Sequence, residues 1–167
     1  LETLRSNAIK RWSAEDKSFT TVFTEEDETF SCYVYKSKSR DYILIGSSST
    51  VSDEHRFIAA DAPLAEFKVM QPRERGLEYG VSHFGDHFYI RTNADGATNF
   101  KLVKASVEQT SKEHWTDVIA HREDVYFEDM ELFSDYLVTE EREKGLTQIR
   151  IQPWGAEAYY LPFDEEV

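Results

Sequence analysis

Five histidines, His55, His83, His87, His114 and His121, and a single cysteine, Cys32, have the widest chemical range in this 167-residue chain. Histidine serves as general base, proton shuttle or metal ligand, and a thiolate serves as nucleophile or ligand. Their spacing supports none of these roles. The histidines are scattered, and only His83 and His87 stand four apart; Gly85-Asp86 between them marks a strand turn, not a helix face that would aim both rings at one metal. Cys32, followed by Tyr33 and Val34, reads as a buried core thiol. Ser47-Ser48-Ser49-Thr50 is rich in hydroxyls, yet no glycine-flanked strand-to-helix elbow surrounds it, so it reads as a connection. Asn93-Ala94-Asp95-Gly96 carries calcium-loop residue types, but its glycine comes too early for EF-hand spacing and it reads as a tight turn. The chain contains no G-x-S-x-G, H-E-x-x-H, Walker loop or dinucleotide fingerprint. No catalytic, cofactor-binding or metal-ligating residue is assigned, and no cofactor is expected.

What remains is charge that recurs. Glu25-Glu26-Asp27-Glu28, Arg73-Glu74-Arg75, Arg122-Glu123-Asp124 and Asp164-Glu165-Glu166 each follow a β-rich segment. If they are equivalent connections in stacked units, they emerge on one rim, and Glu25, Glu26, Arg73, Arg122 and Glu123 become a candidate domain-docking rim. The competing reading is solvated loops, because exposed ion pairs contribute only ~0–1 kcal/mol.

The elements that would position these loops are written three times. Arg40-Asp41-Tyr42-Ile43-Leu44-Ile45, Gly85-Asp86-His87-Phe88-Tyr89-Ile90 and Ser134-Asp135-Tyr136-Leu137-Val138 each run from a polar turn into an apolar segment. The aspartates lie 86 − 41 = 45 and 135 − 86 = 49 positions apart. A period of that size signals stacked supersecondary units. Val22, Val69, Ile119 and Leu161 hold a second recurring slot, and Phe57, Leu102 and Ile149 a third. Each unit reads as four short strands. The first complete unit has Phe30 to Tyr35, Tyr42 to Ile45, Arg56 to Ile58 and Phe67 to Met70. The second has Leu77 to Val81, Phe88 to Arg91, Phe100 to Val103 and Trp115 to Ala120, with one helical turn expected within Val107 to His114. The third has Tyr126 to Phe133, Tyr136 to Thr139, Gln148 to Ile151 and Tyr159 to Phe163, with Lys144-Gly145 as a hairpin turn.

Before them, Leu4 to Ile9 and Phe19 to Phe23 read as the end of an earlier unit, with Trp12 packed in the connection. The expected architecture is all-β: a partial β-propeller of about three and a half four-stranded antiparallel blades. The boundaries are 1–29 for the end of a preceding blade, then 30–75, 76–124 and 125–167. A blade cannot bury both faces alone, and propellers close with about four to eight of them. The chain therefore reads as a piece of something longer.

Composition bounds partners. Asp+Glu 32 against Lys+Arg 19 gives a formal charge of −13, which repels phosphate backbones and anionic lipid, so neither nucleic acid nor membrane is an expected partner. No apolar run of about 18 residues reads as a spanning helix. One cysteine cannot form an internal disulfide, which leaves stability to packing and the redox compartment open.

Several blocks carry a resemblance. Val22-Phe23-Thr24-Glu25-Glu26, Asp41-Tyr42-Ile43 with Gly46-Ser47-Ser48-Ser49-Thr50, Arg91-Thr92-Asn93-Ala94-Asp95 with Asn99-Phe100-Lys101-Leu102, His121-Arg122-Glu123-Asp124-Val125 and Gly145-Leu146-Thr147-Gln148-Ile149-Arg150 resemble, in order and spacing, the propeller of the oligopeptidase B (protease II) group of the prolyl oligopeptidase family. The resemblance implies a serine peptidase that cuts short peptides after Arg or Lys. An α/β-hydrolase domain would carry its Ser, Asp and His, and a seven-bladed propeller would cover the active site and exclude folded proteins. The hydrolase domain is absent from these residues, so no catalytic residue carries over and the chain alone is expected to be inactive. Its partners would be peptide substrates, reached through the missing hydrolase domain. Uncovered blade faces imply self-association of the fragment. The alternative is a non-enzymatic β-propeller or β-sandwich that binds a protein partner.

Overall fold

The computed structural model describes residues 4–163; Leu1-Glu2-Thr3 and Asp164-Glu165-Glu166-Val167 lie outside the described residues. Two compact units divide the chain between Glu78 and Tyr79.

The first unit contains a hairpin, β1 (Ala8–Ser13) with β2 (Ser18–Thr24), and a four-stranded sheet of β3 (Ser31–Lys36), β4 (Tyr42–Ser48), β5 (Asp53–Ala59) and β6 (Lys68–Gln71). The second contains two more such sheets: β7 (Tyr79–Phe84), β8 (His87–Thr92), β9 (Lys101–Ser106) and β10 (Thr116–Ile119), then β11 (Val125–Leu132), β12 (Tyr136–Glu143), β13 (Leu146–Pro153) and β14 (Tyr159–Tyr160). In each four-stranded sheet the strands stand in chain order and every neighbouring pair is antiparallel. The chain therefore enters the first strand and leaves the fourth at the same end of the sheet, which is also the end where the second strand turns into the third.

The thrice-written aspartate has a backbone role as well as a turn role. The N–H of Ala60 donates to the Asp41 carbonyl at 2.7 Å, that of Val107 to Asp86 at 3.3 Å and that of Trp154 to Asp135 at 3.1 Å. Each bond ties the exit of a third strand to the turn that opens the second, so two connections at one end of the sheet satisfy each other. Arg40 and Gly85, just before two of these aspartates, take φ of 71° and 60°. Lys144 and Gly145, at 51° and 84°, make the two-residue turn between β12 and β13, where positive φ at both positions matches the strand twist.

The interior strands are the apolar ones. Leu44 and Ile45 in β4 and Phe88 and Ile90 in β8 are all but inaccessible. β12 differs: Leu137, Thr139 and Glu141 are buried on one face, while Tyr136 and Glu140 on the other are exposed. In the second unit the two sheets meet through Tyr89, Phe100 and Leu102 against Phe127, Leu132 and Leu137. Trp154 closes this layer, lying flat on Phe84 with ring centroids 5.2 Å apart and donating its indole N–H to the Phe133 carbonyl at 3.0 Å. Burial of each such side chain contributes roughly 1.5–3 kcal/mol.

Several expectations are corrected. The first strand is Ala8–Ser13, not Leu4 to Ile9, and Trp12 lies within it opposite Phe19, 53% exposed and not packed in a connection. Alternation along Ile9, Arg11 and Ser13 continues a strand that a count of apolar residues truncates. Ser47 and Ser48 belong to β4, leaving Ser49 and Thr50 to the turn. The helical turn covers only Lys112–His114 and is a 3-10 turn. Leu102 and Ile149 are register equivalents, facing Arg91 and Glu140, each five positions past its aspartate; Phe57 faces Leu44, three past Asp41, so His55 opposite Gly46 is the true third member. The two-residue slip keeps Phe57 on the same sheet face, which is why the spacing looked sound.

Gly46 is required by a close approach. A Cβ there would fall well inside van der Waals distance of the Tyr33 ring, which lies across it from β3. Gly46→Ala is expected to cost about 1 kcal/mol as the half-exposed ring swings aside, and to cost much less in a Tyr33→Ala background. Urea denaturation of the four proteins of that cycle checks the coupling.

Candidate functional site

The charged loops after the fourth strands occupy one sequence slot: Glu25 follows β2, Arg73 follows β6 and Arg122 follows β10, at intervals of 73 − 25 = 48 and 122 − 73 = 49. A second slot, six positions past each turn aspartate on the second strand, holds Ser47, Thr92 and Glu141, all 0% exposed.

In the first unit Glu25 is buried, and Arg73 grips it with Nη2 to Oε2 at 2.8 Å and Nη1 to Oε1 at 3.3 Å. The same Nη2 reaches Glu54 Oε1 on β5 at 3.0 Å, and the Arg73 backbone N–H donates to Glu54 Oε2 at 3.0 Å. Arg56 adds Nη2 to Glu54 Oε1 at 2.6 Å, and the Arg73 guanidinium lies 3.9 Å above the Phe30 ring. Arg5 ties the backbone of the same loop, donating to the carbonyls of Asp27 at 2.9 Å and Phe30 at 2.5 Å. Two carboxylates thus share one guanidinium whose planar fork satisfies both.

In the second unit Arg122 plays the corresponding part with another partner. Its Nη2 lies 2.7 Å from Glu141 Oε1, and its Nη1 donates to the Tyr160 hydroxyl at 3.2 Å. Tyr160 in turn donates to Glu141 Oε2 at 2.8 Å, and Thr139 Oγ1 donates to Oε1 at 2.9 Å. Asn99 Nδ2 holds the loop backbone through the carbonyls of Arg122 at 3.2 Å and Glu123 at 2.7 Å. Arg122 follows β10 whereas Glu141 and Tyr160 sit on β12 and β14, so this ion pair joins consecutive sheets. Arg91 makes a neighbouring bridge, donating from Nε to the Phe127 carbonyl at 2.8 Å with its guanidinium 3.6 Å over the Phe100 ring.

Burial alone would raise the carboxyl pKa of Glu25, Glu54 and Glu141. Hydrogen bonds and the guanidinium charges outweigh it and hold all three below their ordinary value. The tyrosine hydroxyl of Tyr160 moves up, through burial and then its bond to Glu141.

Of the five rim candidates, the geometry therefore places Glu25, Arg73 and Arg122 in internal ion pairs, with Glu26 and Glu123 exposed. Glu54, Glu141 and Tyr160 were missed. For Glu141 a signal existed: Leu137, Thr139 and Glu141 alternate along β12, which turns the glutamate inward. Glu54 offers no such signal, since β5 buries consecutive residues. His83 and His87 lie on β7 and β8 on either side of the Gly85-Asp86 turn, and Asp95 of the candidate calcium loop pairs with Lys101 at 3.2 Å. Among the described residues no group of three or more His, Cys, Asp or Glu could hold a metal ion. No helix among them is long and apolar enough to cross a membrane.

Removing Arg122 would strand a buried carboxylate. Arg122→Met is expected to destabilise by about 2–3 kcal/mol, below the 3–5 kcal/mol of fully buried pairs because Arg122 is about a third exposed. Arg122→Met with Glu141→Leu should recover most of that loss. The depressed carboxyls also set a pH window: their stabilisation is complete above the ordinary value of 4.5 and disappears as pH falls through the lower folded values. Urea midpoints from pH 7 to pH 3 should fall below pH 4.5, and less steeply in the double variant.

Residues 13–165 match the family described as prolyl oligopeptidase, N-terminal beta-propeller domain. Dipeptidyl aminopeptidase BI of Pseudoxanthomonas mexicana is 43% identical over 98% of this chain and 23% of that protein. Protease 2 of Moraxella lacunata is 34% identical over 93% of this chain and 22% of that protein. Among solved structures, oligopeptidase B from Leishmania major superposes with a TM-score of 0.88 at 29% identity, over 99% of this chain and 25% of that one. The chain thus spans about a quarter of the length of the relatives it matches.

Proposed function

Because the chain belongs to the prolyl oligopeptidase family, as part of its N-terminal β-propeller domain, we propose that it forms part of the substrate-gating propeller of a serine oligopeptidase that hydrolyses short peptides after Arg or Lys. The single observation that carries this reading is the agreement with oligopeptidase B from Leishmania major over nearly all of the chain, in fold and at 29% identity. In this reading the Ser, Asp and His of catalysis belong to an α/β-hydrolase domain elsewhere in the polypeptide. The propeller admits peptides and keeps folded proteins out.

A second reading of the cleavage preference has its own support, because the relative named dipeptidyl aminopeptidase BI is more similar, at 43%, than Protease 2, at 34%. There the parent would remove dipeptides from a free amino end. Nothing in the comparisons favours a non-enzymatic interaction module.

The loops after the fourth strands are the proposed docking rim. Glu25, Arg73 and Arg122 give it shape through their buried pairs, and Glu26 and Glu123 supply exposed carboxylates to it. Residues 1–167 on their own also expose Phe19, Leu146 and Phe163, and copies of this polypeptide are proposed to associate through such surfaces. A strict monomer by light scattering at high concentration would count against that.

Two amide substrates test the main reading on the full-length protein: an amino-blocked peptide ending in arginyl amide, and a dipeptidyl amide with a free amino end. Turnover of the blocked arginyl substrate, with proline in place of arginine slowing it at least 100-fold, is expected. Turnover confined to the free dipeptidyl substrate would establish the second reading instead. The polypeptide of residues 1–167 should hydrolyse neither.

A further inference from the structure

At one end of the sheet β3–β6 the loops after β2, β4 and β6 enclose a hollow of about 390 Å³, with Phe30 and Val51 on its walls. Its frame is fixed. Ser49 donates from both N–H and Oγ to the Ser52 carbonyl, at 2.9 and 3.1 Å; Gly76 N–H donates to Ser52 Oγ at 3.1 Å; and Asp53 N–H donates to the Leu77 carbonyl at 3.0 Å. Arg73 on the same wall is consumed by Glu25 and Glu54. Arg75 lines the hollow beside Asp27 and Glu74; it is exposed and pairs with neither, having no ion-pair partner among the described residues. Of the two arginines on this lining, Arg75 is therefore the one left without a carboxylate. The corresponding connections in the second unit leave no such frame open: one folds into the 3-10 turn Ala94–Gly96, and the other is the two-residue turn Lys144–Gly145.

The hollow lies at the end where first strands are entered and fourth strands are left. The matched propeller domain is N-terminal in its family and the relatives are about four times as long, so the polypeptide that follows the propeller departs from a fourth strand, at this end. We propose that the hollow receives an acidic side chain of the domain that follows the propeller, with Arg75 as its counter-charge and Phe30 and Val51 against its stem. This rests on the family reading above and names the partner of the docking rim. A charge-assisted pair in a partly enclosed frame gains from reduced solvent screening and fixes the register between two rigid bodies.

The test uses full-length protein carrying Arg75→Lys, which keeps the charge and supplies a primary amine, treated with a zero-length carbodiimide. Coupling joins that amine to a carboxyl carbon in contact with it, with the oxygen leaving in the urea by-product. The expected product is a cross-linked peptide pair joining position 75 to an Asp or Glu of the domain that follows the propeller, with its yield reduced severalfold in 1 M salt. Coupling only to carboxylates of the propeller itself, such as Asp27 or Glu74, or no coupling at all, would overturn the proposal. The readout needs no turnover, so a cross-link in a protein that ignores arginyl substrates would sink the specificity reading and leave the seat standing.

Discussion

A four-stranded sheet that is apolar on both faces cannot bury itself, and the rest of this structure answers to that constraint. Leu44 and Ile45, adjacent in β4, point to opposite faces and are both buried; Phe88, Tyr89 and Ile90 do the same in β8. These two sheets must each be covered on two sides, so their neighbours are part of their stability. In the second unit the cover is visible in Phe127, Leu132 and Leu137 over Tyr89, Phe100 and Leu102, with Trp154 laid across Phe84. Apolar layers of this kind are non-directional. They supply most of the adhesion and little of the alignment.

Alignment comes from charge held out of water. Arg122 reaches from one sheet to a carboxylate on the next that is 0% exposed, and Tyr160 and Thr139 complete its shell. Such pairs return little net free energy once desolvation is counted, but a wrong partner leaves an uncompensated charge and is heavily penalised. Three of the five rim candidates, Glu25, Arg73 and Arg122, are thus fasteners. What the loops present outward is the remainder, Glu26, Asp27, Glu28, Glu74, Arg75, Glu123 and Asp124.

The repeat was legible because it is written in backbone needs as well as in side chains. The aspartate turn recurs since its carbonyl accepts from the exit of the third strand in every sheet, and that geometry tolerates few spacings. Interior strands were legible as apolar runs. Trp12 was misplaced because a half-exposed hairpin strand carries Lys10 and Arg11 beside it and shows no apolar run. Phe57 was aligned two positions out because a slip by two preserves the face. The rim loops were located by composition, yet composition cannot tell an arginine that neutralises a buried glutamate from one that meets solvent. That distinction depends on Glu54 and Glu141, which stand 19 residues from their partners in each case, 73 − 54 and 141 − 122.

The two fasteners have opposite polarity. After β2 the loop offers an acid, Glu25, to an arginine; after β10 it offers an arginine, Arg122, to an acid. Were the β1–β2 hairpin to dock against the sheet β11–β14 during assembly, Glu25 would meet Glu141, and two carboxylates would be entombed without a cation. The two incoming loops are therefore not interchangeable, because exchanging them would bring like charges together out of water.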